Sequence, residues 1–248
     1  MNTFRGYAAT VGELTDRRAR KKAQTRELIR SVAQRLFNEN GFEAVTIADI
    51  AQKCDVAVQT VFNHFSTKEE LFFAGRAGWV DGPAEAVRAR QPSVPPLTAL
   101  RGYFVDLVAE RVSAHRCPDR RRTVATLEAS DSLRAHERLL MHEAELKLRD
   151  ALLETWASED VASPPDPQSA ALMIAAVWVA AVGSLVLGQR PRLTAGADPG
   201  ATAAAAMDLA DRVLRQLELG ANAVHGRATT IPTPPADTGW PHAALRAG

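Results

Sequence analysis

Cysteine is nearly missing from this chain of 248 residues. Cys54 and Cys117 stand alone, the second beside Pro118, so no disulfide framework is implied and the usage fits a reducing cytoplasm. Residues 1–16 lack the apolar core of a secretory signal. No Gly-rich phosphate loop, no Gly-x-Ser-x-Gly turn and no paired-cysteine metal motif occurs, which leaves an enzyme assignment without support. His136-Glu137 and His142-Glu143 begin like a zinc-protease signature, but neither has a second histidine four residues on. His115 and Cys117 offer two ligands, and two ligands do not make a metal site. Catalytic residues, metal and cofactor are therefore all expected to be none. No convincing alternating strand and no internal repeat appears. Net charge is small too, at a formal +1, although the hydrophobic content of 46% is enough to bury a core.

What is present begins at Thr46. Thr46 is a good N-cap, and Asp49 three residues on completes a capping box. Ile47, Ile50 and Ala51 then share one helical face. After a tight turn, Val58, Val61, Phe62 and Phe65 are expected to form the apolar face of a second helix. Its other side carries Gln59, Thr60 and Asn63. Gln59 and Asn63 lie one turn apart, so both amides project the same way, as a recognition helix presents hydrogen-bonding groups to base edges. A capped helical hairpin alone is common, so the flanks matter. Upstream, Arg17, Arg18, Arg20, Lys21, Lys22, Arg26, Arg30 and Arg35 face a single acid, Glu27, a local excess of seven positive charges. A basic run is often only a solvated face, but one abutting such a hairpin suits phosphate binding. Downstream, Thr67 to Glu70 reads as a full capping box opening another helix.

These segments together resemble the DNA-binding domain of the tetracycline-repressor (TetR-type) transcription regulators. The resemblance runs from about Arg18 to Phe73 and rests on four linked segments: Leu36 to Phe42, Thr46 to Ala51, Thr60 to Phe65, and Thr67 to Leu71. Two positions depart from the family pattern. Asp55 holds the turn position usually given to Gly, and Asp tolerates the left-handed conformation better than most residues. Ala57 replaces the usual Ser or Thr opening the recognition helix, so that DNA-facing position has no hydroxyl to offer as a cap or to a phosphate. The resemblance implies phosphate contacts from Thr46, His64 and Lys68; Gln59 and Asn63 are the candidate base readers, and Thr60 is a further DNA-binding candidate. Arg18, Lys21 and Lys22 would add non-specific attraction.

The remainder reads as helices. Leu97 to His115 is amphipathic through Leu100, Phe104, Leu107, Val108 and Val112. Asp131 to about Ser158 is a long helix expected to turn Leu139, Leu146 and Leu153 inward. Asp166-Pro167 and Asp198-Pro199 are cap-plus-proline starts, for helices expected to close at Gly188 and Gly220. Ala206, Met207, Ala210, Val213, Leu214 and Leu217 share one face of the last. Gln91 to Pro96, Ser163 to Pro165 and Pro191 to Gly196 mark linkers. From Ala170 to Gly188 no charged residue occurs, a length sufficient for a membrane span. Six of those residues are Ala, two Gly and one Ser, which equally suits a tight helix-helix interface in a soluble dimer. The tail from Ala221 has few core-forming residues, and its Trp240 has no evident role.

The expected architecture is all-α. It comprises a flexible arm over 1–16, a three-helix DNA-binding domain over 17–73, a helical ligand-binding and dimerisation domain over 74–220, and a disordered tail over 221–248. The expected function is a cytoplasmic, ligand-responsive repressor that binds a palindromic double-stranded operator as a homodimer and is released by a small-molecule effector. An activator or effector-independent DNA binder is the alternative within that class. A membrane-associated protein anchored by 170–188 is the alternative outside it. The resemblance also implies nine or so helices, a four-helix dimer interface and a hydrophobic effector pocket. Trp79, Tyr103, Phe104, Trp156 and Trp178 are its candidate lining, against a plain core role.

Overall fold

Thr46 caps α2 (Ile47–Lys53) as its position requires: its hydroxyl accepts from the Asp49 amide at 3.2 Å while the Asp49 carboxylate takes the Thr46 amide at 2.8 Å. The computed structural model describes residues 4–158 and 163–226, with side chains for 17–158 and 163–222. Among these the fold is all-α, with no strand. α1 (Phe4–Asn40) precedes α2, and α3 (Val58–Phe62) and α4 (Lys68–Phe73) follow it. Then come α5 (Gly82–Arg88), α6 (Pro96–Ser113), α7 (Pro118–Ala129), α8 (Asp131–Trp156), α9 (Pro167–Thr194) and α10 (Pro199–Gly226).

The α2–α3 turn is made by Asp55 at φ 53, the left-handed conformation that the sequence asked of this residue. Around it, Ile29, Ala33 and Phe37 of α1 pack with Phe42, Val45, Ile50, Val61, Phe65 and Phe72. Phe37, Phe42 and Phe72 meet in tilted and edge-on pairs with centroids 5.2–6.0 Å apart. Leu127 of α7 and Leu133 of α8 close this first core, so the N-terminal helices are seated on the remainder of the chain. Ser130 strengthens the seat: its hydroxyl lies 2.6 Å from the Glu43 carboxylate and also caps α8.

The second core joins Val87 of α5, Leu100, Phe104 and Val108 of α6, Leu148 and Leu152 of α8, Ile174, Trp178 and Val182 of α9, and Ala206, Ala210 and Leu214 of α10. Arg101 clamps α6 to α10, giving its Nε to Glu218 at 2.8 Å and a second donor to Asp211.

Several boundaries and faces differ from expectation. α1 is already helical from Phe4, where the sequence suggests a flexible arm over 1–16. α9 runs through Gly188 and Pro191 to Thr194. Near a helix end, proline forfeits only one backbone bond, and Gly196 at φ 92 supplies the stop instead. α10 likewise passes Gly220 and reaches Gly226. In α8, Leu139 is 67% exposed and Leu146 is exposed, because Leu133, Ala144, Leu148, Ala151 and Leu152 define the buried stripe. Of the seven-residue leucine repeat only Leu153 packs against the second core, because the helix is packed by both α5 and α9. In α10, Met207 is exposed beside the buried Ala206 and Ala210. Trp240 and most of the tail lie outside the described residues.

Candidate nucleic-acid interface and effector cavity

α3 is five residues long, so it can bury only one narrow stripe. Val61 takes that stripe and Phe65, past the helix end, packs beside it, at 0% and 1% exposure. Val58 and Phe62, expected to join them, stay 42% and 44% exposed. At 100° per residue both fall between the buried stripe and the amides, so they border the outward face. That geometry adds two apolar groups to the candidate reading surface. The signal was in the sequence, since Val58 and Phe62 sit one helical turn apart on the side of Gln59 and Asn63.

Gln59 and Asn63 are both exposed, and the Gln59 Nε2 donates to Asn63 Oδ1 at 3.2 Å. The bond orients Gln59 while leaving its carbonyl and one N–H free, the pair needed for an adenine edge. Asn63 keeps its two N–H donors. Thr60 is half-buried beside them, and Ala57 caps α3 without any side-chain hydrogen bond, as the missing hydroxyl implied.

Of the three side chains assigned to phosphates, Thr46 and Lys68 are already engaged. The Thr46 hydroxyl donates to Asp49 at 2.7 Å, and a phosphate would have to displace that bond. Lys68 reaches back to the carbonyls of Phe42 and Val45, at 2.9 and 3.1 Å, with its ammonium 4.2 Å from the Phe42 ring centre. Two of its three N–H bonds tie α4 to the α1–α2 loop, which leaves one for a ligand. His64 has a buried Nδ1 without a partner, and burial first, then Lys22 and Arg26, hold its pKa below the ordinary value. Its backbone carbonyl takes an N–H of Arg26, whose guanidinium lies 4.0 Å from the Phe65 ring centre. Thr67 accepts from the Glu70 amide at 3.0 Å, but the Glu70 carboxylate takes the Ser66 amide at 2.7 Å, so the expected reciprocal box is shifted by one residue. Arg18, Lys21 and Lys22 are exposed along α1, which leads into this surface.

Residues 29–74 match the family model described as "Bacterial regulatory proteins, tetR family". Over these residues the chain resembles that family. The chain is also similar to "HTH-type transcriptional regulator TcmR" of Streptomyces glaucescens, 32% identical over 87 residues, which cover 35% of this chain. The chain spans about 38% of that relative's length. Among solved structures it is similar to NalD, the secondary repressor of the MexAB-OprM multidrug efflux pump in Pseudomonas aeruginosa, with TM-score 0.47 and 21% identity over 78% of this chain and 96% of that one. It is similar as well to SmeT in a triclosan complex, with TM-score 0.48 and 20% identity over 77% and 91%.

Behind the TetR-type head the helices leave a cavity with two ends. The narrow end holds about 70 Å³ among Phe104 of α6, Met141 of α8 and Val179, Val182 and Val186 of α9. Gly183 of α9 gives Met141 its room there, since a Cβ would strike the methionine methyl. The wider end, about 460 Å³, shares Trp79, Leu107, Arg111, Glu137, Val186 and Arg190 with the first, and extends to Phe73 and Arg76 behind α4. Tyr103 lines this end, its hydroxyl pressed on Gly82, where any side chain would collide with it. Burial pushes the Tyr103 phenol up to about 12.

The sequence candidates are thus divided. Trp79, Tyr103 and Phe104 line the cavity, Trp178 faces a separate groove between α9 and α10, and Trp156 is buried in the second core. Arg111, Met141 and Arg190 escape a reading of the sequence, because no local pattern relates residues from α6, α8 and α9. Of the histidines in the two His-Glu pairs, His136 stacks on Phe73 at 5.3 Å and His142 lies 3.3 Å from Glu145.

Proposed function

We propose that the protein is a cytoplasmic, ligand-responsive transcriptional repressor, working as a homodimer on an operator with inverted half-sites. The observation that carries this reading is the exposed amide pair Gln59–Asn63 on α3, within the segment that matches the tetR family. In this reading residues 17–73 form the DNA-binding domain and 74–220 the effector and dimerisation domain. Gln59 and Asn63 meet base edges, with Val58 and Phe62 beside them to contact thymine methyl groups. The basic side chains of α1 supply sequence-independent attraction, and Thr46, Ala57, Thr60, His64 and Lys68 border the phosphate path.

Dimerisation is supported by the apolar side chains that one chain leaves uncovered. Leu172, Met173, Val177 and Leu187 of α9 and Met207, Leu209 and Leu219 of α10 are exposed. A two-fold pairing of these helices sets two reading heads at a fixed spacing, about one helical turn of DNA or somewhat more. Effector binding behind α4 then favours a head arrangement that no longer matches successive major grooves.

Selection of preferred sites from a random DNA pool by the purified protein tests the reading. Enrichment of an inverted repeat, bound by a dimer in sedimentation, is expected; no enriched site, or a monomer bound to a single half-site, refutes it. A second reading has one observation in its favour: α9 is long and apolar enough to cross a membrane. Recovery of the protein only with detergent would select it.

A further inference from the structure

The cavity behind the reading head has an unbalanced wall. Arg190 is offset, with Glu137 at 2.9 Å and Glu128 on its other nitrogen. Arg111 forms no ion pair among the described residues; its guanidinium is 5.5 Å from the Trp79 ring centre and opens on both ends of the cavity. Arg76 is half-buried and likewise has no acidic partner among them, donating only to the Phe72 carbonyl at 2.9 Å, with Phe72 beneath it at 5.0 Å. Arg120 lines the wider end too, as do the carboxylates Glu85 and Glu110, neither of which forms an ion pair among the described residues. Burial lowers the Arg76 pKa to about 10, and its next-largest influences are the cations Arg120 and Arg30. Burial lowers that of Arg111 as well, partly opposed by the nearby carboxylates Glu110 and Glu137. Unpaired, partly buried cations at a cavity wall are costly unless something completes them.

We propose that this cavity binds an amphipathic organic anion, its acidic group drawn to Arg111 and Arg76 and its apolar body seated against Phe104, Met141 and Val182. The proposal rests on the effector-site reading above and names the class of effector. Charge-assisted hydrogen bonds to guanidinium supply orientation, and the narrow apolar end supplies selectivity for the body. Arg76 also gives the site a route to the DNA head. It caps the end of α4 through the Phe72 carbonyl, so an anion that recruits its N–H groups competes with that cap.

The test uses two fluorescent probes with the same aromatic body, 8-anilino-1-naphthalenesulfonate and the neutral N-phenyl-1-naphthylamine, titrated onto the full chain. The sulfonate is expected to bind about tenfold tighter. Arg111→Gln and, separately, Arg76→Gln are expected to remove most of that difference, and Arg111→Lys to restore part of it, with neutral-probe affinity held within about twofold in every variant. Far-UV circular dichroism checks that each variant keeps its helix content. Equal affinity for both probes, or equal losses of both in the Gln variants, overturns anion recognition and leaves a neutral effector site standing. Gly183→Trp and Met141→Trp fill the narrow end by different side chains and are expected to exclude both probes. Retention of both probes in these variants, or no binding of either to the wild type, overturns the effector-site reading together with the anion.

Discussion

Truncating Gln59 and Asn63 separates reading from holding. Each amide that makes a paired contact to a base contributes about 1–3 kcal/mol of discrimination, or roughly 5–150-fold in affinity. A dimer places two copies on the operator, so Gln59→Ala is expected to cost about 2–6 kcal/mol there when the half-sites act independently. The structure adds a coupling. Gln59 is oriented by its 3.2 Å bond to Asn63, so Asn63→Ala also loosens the reader it leaves behind. An exposed neutral hydrogen bond is worth about 0.5–1.5 kcal/mol net, and the double variant should fall short of the summed single losses by about that amount per half-site. The assay is equilibrium binding of wild type, both single variants and the double variant to the site selected by the wild type, and to scrambled DNA. Scrambled-site affinity should barely change, because phosphate contacts persist. Identical selected sites for all four proteins would mean that the amides only solvate an exposed face and that sequence is read elsewhere or through DNA shape.

Three further outcomes follow from the same geometry. Replacing Arg18, Lys21 and Lys22 by Ala should weaken binding to all sequences alike and flatten the salt dependence by about 0.9 for each phosphate that is no longer neutralised; an unchanged slope would make the arm a solvated face. Lys68→Met should lower the urea midpoint of unfolding by about 1–3 kcal/mol equivalent, since it unties two carbonyls of the α1–α2 loop, while leaving the salt slope nearly intact; the opposite pattern would return Lys68 to a phosphate role. Tyr103 ionises near its ordinary value of 10.0 when unfolded but near 12 when folded, so its share of stability is full below pH 10 and is lost as pH rises towards 12. Absorbance titration of the phenol, with Tyr103→Phe as control, should place that loss in this interval, and a free titration near 10 refutes the burial.

Much of the helical head α1–α4 was legible in the chain because its determinants are local. Thr46 and Asp49 meet within one helical turn, Asp55 needed only its own tolerance of positive φ, and the phases of Gln59 and Asn63 follow from helix geometry. The same holds for the cap-plus-proline starts of α9 and α10, where Asp166 and Asp198 accept amides three residues on. Tertiary structure decided the rest. Whether Val58 and Phe62 are core or surface depends on how much of a five-residue helix its neighbours can cover, and they cover only the Val61–Phe65 stripe. Leu139 yields to Leu148 because α8 is packed by α5 and α9 together, a choice no repeat on one helix encodes. In the string of residues Lys68 is a free cation; the fold brings the carbonyls of Phe42 and Val45 to it from outside its own helix. The unpaired Arg111 and Arg76 became a site only when α4, α6 and α9 enclosed them, since burial and missing partners are properties of an assembled wall and not of a residue in a string.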